Sequence, residues 1–243
     1  VQKEWFESWF DSPYYSSLYD NRNDDEASAF VYNLVRYLKP AAGSRLLDIA
    51  CGEGRHSLQL SSYGYEVVGI DLAEQRIEAA KRKENEHTRF YVHDMRFPFY
   101  INYFDFAFNF FTSFGYFEKK RDHHMAADSF AAALKRGGVL VVDYLNRIYT
   151  ERRLVPEEVI EKNGASFHIS RFLKDGKFIK QIAVTDKTNA VHHYQERVSA
   201  FELSDFIQLF TASGLSLQTT FGDYQLNDYD PLNSPRMIMV FRK

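Results

Sequence analysis

Apolar residues recur along the chain with two different periods, and the change from one to the other outlines its architecture. Trp5, Phe6, Trp9 and Phe10 fall at helical spacing within Lys3 to Phe10 and the pattern breaks at Ser12-Pro13, which predicts a short amphipathic helix. A second helix is predicted from a cap at Asn23 or Asp24, with Ala27, Phe30, Val31, Leu34, Val35 and Leu38 on its apolar stripe and Pro40 and Gly43 ending it. From Arg45 the chain alternates: strand Arg45 to Ile49, helix Arg55 to Tyr63, strand Glu66 to Ile70, helix Glu74 to Glu84, strand Arg89 to Val92. Strand Tyr103 to Phe108 and a helix from Arg121 to Lys135 follow, and Gly137-Gly138 separates that helix from strand Val139 to Asp143. Such alternation predicts an α/β fold, doubly wound about a mostly parallel sheet.

After Tyr144 the period changes. Ser166 to Leu173, Phe178 to Thr185 and Ala190 to Ala200 read as three strands joined at Asp175-Gly176 and Lys187 to Asn189, a three-stranded antiparallel insert after strand five spanning residues 164–201. A helix from Ser204 to Thr211, capped by Gly214, and strands Ser216 to Phe221 and Met237 to Arg242 close the chain. The expected organisation is one domain over residues 1–243, with an N-terminal helical lid at 1–40 and the insert capping the same pocket.

Composition narrows the functional classes. The 243 residues are 45% hydrophobic, enough for a sizeable core, and 30 basic against 33 acidic residues leave a formal charge of -3, which gives no general attraction to a phosphate backbone. No nucleic-acid partner is expected. The single cysteine, Cys51, excludes an internal disulfide framework, no charged-then-apolar leader is present, and no uncharged apolar run approaches a membrane span, so a cytoplasmic protein without a membrane partner is expected. His123 and His124 are adjacent on a helix and point apart, and no other metal-ligand spacing stands out, so no metal is expected.

The segment with the most chemistry is Asp48-Ile49-Ala50-Cys51-Gly52-Glu53-Gly54-Arg55-His56. Glycines allow a tight turn and close approach of a ligand, and the helix that follows offers unpaired N–H groups. Asp71 ends the next apolar strand, 19 residues beyond Gly52, where a carboxylate accepts both hydroxyls of a ribose. A nucleoside ligand is implied. A dinucleotide is disfavoured because Ser57 stands where the third glycine of that fingerprint belongs, and because a carboxylate at Asp48 repels a pyrophosphate but suits an ammonium group.

On these residues the chain resembles the class I S-adenosylmethionine-dependent methyltransferases, whose first motif runs acidic-x-Gly-x-Gly-x-Gly, here with Ala50 in place of the first glycine. The match continues through Asp71, His93-Asp94-Met95 after strand three and Asn109-Phe110 after strand four, over roughly Leu46 to Asp143, and the closing strand pair is similar to the family's reversed last strand. The resemblance implies a Rossmann-like methyltransferase sheet and S-adenosylmethionine as cofactor, with S-adenosylhomocysteine as product. It implies cofactor contacts from Asp48, Ala50, Cys51, Gly52, Gly54, Arg55, Asp71, Leu72, Asp94, Met95, Asn109, Phe110 and Tyr19. Cys51 reads as a packed residue without chemistry of its own, since no base is near it in sequence.

The acceptor is less legible. The prolines of the exocyclic-amine motif are absent from Asn109-Phe110-Phe111-Thr112, and no cysteine follows a proline as cytosine C5 methylation requires, which leaves an oxygen or nitrogen of a small molecule. Pocket candidates are Tyr14, Tyr15, Phe111, Phe114, Tyr116, Tyr144 and Arg147, with ordinary packing as the competing reading for each. The stretch from Tyr14 through Tyr19 to Arg22 resembles the lids of small-molecule methyltransferases. Methyl transfer needs a base only when the acceptor is protonated; His193, Arg197 and Tyr15 are the catalytic candidates, with histidine suited to take a proton and arginine to hold an acidic acceptor. His193, Gln195 and Arg197 share one face of their strand and His192, Tyr194 and Glu196 the other. Two alternatives stay open: a nucleoside-cofactor binding module without catalysis and an NAD-dependent oxidoreductase. The oligomeric state is open as well.

Overall fold

The computed structural model describes residues 5–19 and 24–243. Three helices come first: α1 (Trp5–Phe10), α2 (Pro13–Tyr19) and α3 (Asp24–Leu38). The break expected at Ser12-Pro13 is also a start, because a proline at the first helical position loses no hydrogen bond. Of the lid stretch, Asp20, Asn21 and Arg22 lie outside the described residues, as does Asn23.

The alternating region follows the expected order as β1 (Arg45–Ile49), α4 (Arg55–Ser61), β2 (Glu66–Asp71), α5 (Glu74–Lys81), β3 (Thr88–Val92), β4 (Phe104–Asn109), α6 (Lys120–Ala133) and β5 (Leu134–Leu145). β5 begins before the glycine pair, with a register irregularity against β4 between Phe104 and Phe106. A short helix, α7 (Arg147–Arg152), capped by Asn146, leads into a separate sheet of β6 (Glu157–Lys162), β7 (Ala165–Lys174), β8 (Lys177–Thr185) and β9 (Val191–Ser199). The chain ends with α8 (Leu203–Ala212), β10 (Ser216–Phe221) and β11 (Arg236–Arg242).

The main sheet has the order β10-β11-β5-β4-β1-β2-β3. The pairs β5-β4, β4-β1, β1-β2 and β2-β3 are parallel, while β11 runs antiparallel to both β5 and β10. One face packs Leu47, Ala107, Leu140 and Met239 against Phe130 of α6 and Phe206 and Phe210 of α8; the other packs Leu46, Val67, Val141 and Ile238 against Phe30 and Leu34 of α3 and Leu60 of α4. Layers on both faces make the sheet doubly wound, as the alternation implies.

The insert has four strands rather than the expected three. β6 was missed because Glu-Glu-Val-Ile-Glu-Lys is charged and rich in helix formers, yet Glu157 to Lys162 alternates exposed and half-buried positions along the edge of the sheet. Its signal was Asn163-Gly164, both at positive φ (53° and 76°), a two-residue hairpin loop between Lys162 and Ala165. The inner face of the insert carries Phe167, Ile169, Ile182 and Val184 against Trp9, Tyr15 and Leu18, so α1 and α2 are clamped between the insert and the main sheet.

Candidate active site

The C-terminal ends of β1, β2, β3 and β4 open into a cavity of about 930 Å³, the crevice where open α/β sheets bind ligands. The glycine turn forms its floor. Cys51 N–H donates to the Ile70 carbonyl at 3.0 Å and Gly54 N–H to the Cys51 carbonyl at 3.0 Å, so the turn is fastened to β2 before α4 begins. Ala50 sits at φ 61°, a left-handed conformation that costs about 1–2 kcal/mol for an alanine, at the position where the related motif has glycine. Gly52 brings the backbone of the turn to the cavity wall. Asp71 stands beside it: one oxygen accepts Gly52 N–H at 2.8 Å and the other Ala73 N–H at 2.9 Å, which aims the carboxylate along the cavity edge.

Val92, His93, Asp94 and Met95 line the same cavity from the end of β3, and Phe110, Phe111 and Ser113 from the end of β4. The β4 loop is held open under strain: Phe111 and Thr112 both have positive φ (58° and 59°). Buried Asp143 sustains it by accepting Phe111 N–H at 3.0 Å and Arg236 Nε at 2.7 Å, while Arg236 Nη2 also donates to Thr112 Oγ1. From the other side α1, the turn after it and α2 contribute Phe6, Phe10, Asp11, Tyr15, Ser16 and Tyr19.

Residues 46–138 match the methyltransferase domain family. The match runs from β1 into β5, the part of the chain that holds the glycine turn and Asp71. The chain's relatives include the dTDP-3-amino-3,4,6-trideoxy-alpha-D-glucopyranose N,N-dimethyltransferase of Streptomyces venezuelae, 27% identical over 84% of this chain and 89% of the relative. The glycine/sarcosine N-methyltransferase of Parasynechococcus marenigrum is 24% identical over 81% of this chain and 72% of its own. Among solved structures, the CcbJ methyltransferase of Streptomyces caelestis superposes with a TM-score of 0.79 at 15% identity, covering 100% of this chain and 99% of that one, and shows the shared fold.

Of the expected site residues, Ala50, Cys51, Gly52, Arg55, Asp71, Leu72, Asp94, Met95, Phe110, Phe111, Tyr116, Tyr15 and Tyr19 all line the cavity. Asp94 does so with its carboxylate held by Arg96 at 2.6–3.1 Å. Cys51 is buried, and burial together with the charges of Asp48 and Asp71 pushes its thiol well above the ordinary range, so it stays protonated.

Several expected contacts are placed elsewhere. Asp48 lies beneath the turn, fully buried, and accepts the Ser57 hydroxyl at 2.6 Å rather than facing the cavity. Asn109 spends its amide on the Ile49 carbonyl at 2.9 Å, and the space a side chain on Gly54 would need is filled by the ring of Phe90. Phe114 belongs to the core with Phe130, Phe206 and Phe210, and buried Tyr144 donates to the Ser199 carbonyl. Arg147 pairs with Glu202 at 2.6 Å, and Tyr14 packs over His192 of the insert.

The inner and outer faces of β9 decide the fate of the catalytic candidates. His192, Tyr194 and Glu196 turn toward α1 and α2, with Glu196 accepting Trp9 Nε1 at 2.8 Å and the Tyr19 hydroxyl at 2.7 Å. His193 is exposed on the opposite face, and Arg197 pairs there with Glu118 at 3.2 Å, so neither lines the cavity. Tyr15 alone of the three does.

Sequence reasoning gave no ligand role to four cavity residues. Phe6 and Phe10 read as one side of an amphipathic helix, which cannot tell a ligand wall from core. His56, its ring tilted 4.6 Å from Phe110 and 5.2 Å from Phe111, belongs to the glycine-turn motif, whose pattern assigns it no role. Arg76 sits on the polar stretch of α5 and carries no sequence signal; it is half-buried at the cavity wall, with Tyr15 of the lid against its guanidinium.

Proposed function

We propose that this enzyme transfers a methyl group from S-adenosylmethionine to a nitrogen of a small molecule. The observation that carries the reading is one cavity walled on one side by the glycine turn with Asp71 and on the other by aromatic side chains from α1, α2 and the β4 loop. The donor set fits the cofactor: Asp71, already oriented by two backbone N–H groups, accepts from ribose hydroxyls, and Leu72, Asp94 and Met95 flank the place for the base. Bound there, the cofactor supplies an activated methyl group on a sulfonium.

The protein's own part is positioning and exclusion of water. Phe6, Phe10, Tyr15, Tyr116 and Phe117 present an aromatic wall on the acceptor side, suited to a cationic or sulfonium neighbour. The N-terminal helices act as the lid and the antiparallel sheet as its support. Nitrogen is preferred over oxygen because the relatives named above are N-methyltransferases. An amine also needs no base once it has lost its proton to solvent. A cytoplasmic location belongs to the same reading; among the described residues no helix is long and apolar enough to cross a membrane.

Calorimetric titration with S-adenosylhomocysteine, followed by turnover of labelled cofactor against a panel of amino sugars and small amines, tests the proposal. Saturable binding and label transfer to nitrogen are expected. No binding of the product cofactor would overturn the cofactor reading, and transfer confined to hydroxyl acceptors the choice of nitrogen.

A further inference from the structure

Arg76 lies where three parts of the site meet. It projects from α5 into the cavity, and its Nη2 stands 2.6 Å from where a Cβ on Gly52 would be, so the guanidinium lies directly on the bare backbone of the glycine turn. Its Cζ lies over the ring of Tyr15 in α2, 5.0 Å from the ring centre. Burial works against its charge, but its neighbours, the carboxylates of Asp71 and Glu53 among them, more than offset that, and the residue stays a cation. One donor is left over: Nε–H is buried and has no acceptor among the described residues. A buried donor without a partner costs roughly 1–3 kcal/mol, more on a charged group, so the guanidinium keeps unspent hydrogen-bonding capacity at the cavity wall.

The contacts do not stop at Tyr15. Tyr15 meets Trp9 edge to face at 5.5 Å and Tyr19 at 4.8 Å. Trp9 and Tyr19 both donate to Glu196 of the insert, and Lys180 of β8 bonds the Tyr19 hydroxyl. An unbroken run of contacts therefore connects the glycine turn, through Arg76, to α2, α1 and the insert.

We propose that Arg76 couples the cofactor to the lid, donating to the bound nucleoside cofactor from the part of its guanidinium that lines the cavity while its face holds Tyr15, so that α1 and α2 are set in place by an occupied site. The proposal rests on the cofactor reading given above. It makes Arg76 a cofactor-contacting residue and Tyr15, Trp9 and Glu196 positioning residues that act through it. Lysine in its place keeps the charge but lacks the planar face that stacks on tyrosine.

The chain reports on its own lid, because its two tryptophans, Trp5 and Trp9, are both in α1. S-adenosylhomocysteine is titrated into the wild type, Arg76→Met and Arg76→Lys, with affinity read by calorimetry and the lid by tryptophan emission at saturation. The wild type should bind and change its emission. Arg76→Met should bind at least tenfold more weakly and, once saturated, show less than half of the emission change. Arg76→Lys should recover part of the affinity but not the emission change, and it carries both readouts if Arg76→Met does not fold. Wild-type binding without an emission change, or variants that match the wild type in both readouts, would overturn the coupling and leave the cofactor reading standing. Failure of the wild type to bind would instead overturn the cofactor reading.

Discussion

Asp48 offers a test of the site's foundation that needs no ligand. Its carboxyl is pushed up to about 7, chiefly by burial and further by the charge of Asp71, while the hydrogen bond from Ser57 and the charge of Arg55 oppose the shift. In the unfolded chain it titrates near 3.8. The folded value is the higher one, so the neutral form is favoured by folding; its stabilisation is present below about pH 4 and is lost as pH rises to about 7. A gap of roughly three units at about 1.4 kcal/mol each makes the whole loss ~4 kcal/mol, of which about 3 kcal/mol falls between pH 5 and pH 8. Asp48→Asn does not titrate and is spared this loss. Its amide lacks a second partner and lowers stability by a constant amount, so the informative quantity is the change with pH. Urea unfolding of both proteins at pH 5 and pH 8, followed by circular dichroism, should show the variant gaining on the wild type by about 3 kcal/mol over that interval. A difference that stays constant or shrinks would mean that Asp48 is ionised in the folded protein at an ordinary pKa, and the reasoning would fail. Ser57→Ala removes the hydrogen bond that opposes the shift and should extend the wild-type loss to higher pH.

Three further outcomes are expected. Asp71→Ala should weaken S-adenosylhomocysteine by about 100-fold or more in calorimetry, since two hydrogen bonds to a charged group contribute about 1.5–3 kcal/mol each; an unchanged affinity would remove its ribose role. Arg236→Ala leaves the buried carboxylate of Asp143 without its cation and should lower unfolding stability by about 3–5 kcal/mol in urea titration, whereas a change under 1 kcal/mol would show that Tyr224 and the Phe111 N–H suffice. Tyr116→Ala should reduce kcat/KM for the amine by tenfold or more while leaving product-cofactor affinity within twofold, and an equal loss in both would move Tyr116 to the cofactor side of the cavity.

Periodicity alone was enough for the order of elements from Arg45 to Leu145, because each strand or helix of a doubly wound sheet buries a face whose spacing is local. The turn from Ala50 to Gly54 and the carboxylate of Asp71 were legible for a related reason: a strand, a tight turn and a helix fix a ligand's cradle within a short stretch of chain. β6 escaped because edge strands bury little, although Asn163-Gly164 marked its hairpin. Which polar residue faces the ligand was beyond the sequence's reach. Asp48 and Asn109 stand at strand ends as expected, yet Ser57 and the Ile49 carbonyl claim them, and both partners are set by packing between neighbouring elements. The two faces of β9 differ only in what lies against them, so the sequence identifies the alternation and the docking of α1 and α2 decides that Glu196, not His193, turns inward. Arg76 illustrates the limit most clearly: a charged residue on a surface helix by its pattern, it becomes part of the cavity only when Tyr15, far from it in the chain, closes over it. Local sequence determines what one element can hold; contact between distant elements determines what a buried charge meets.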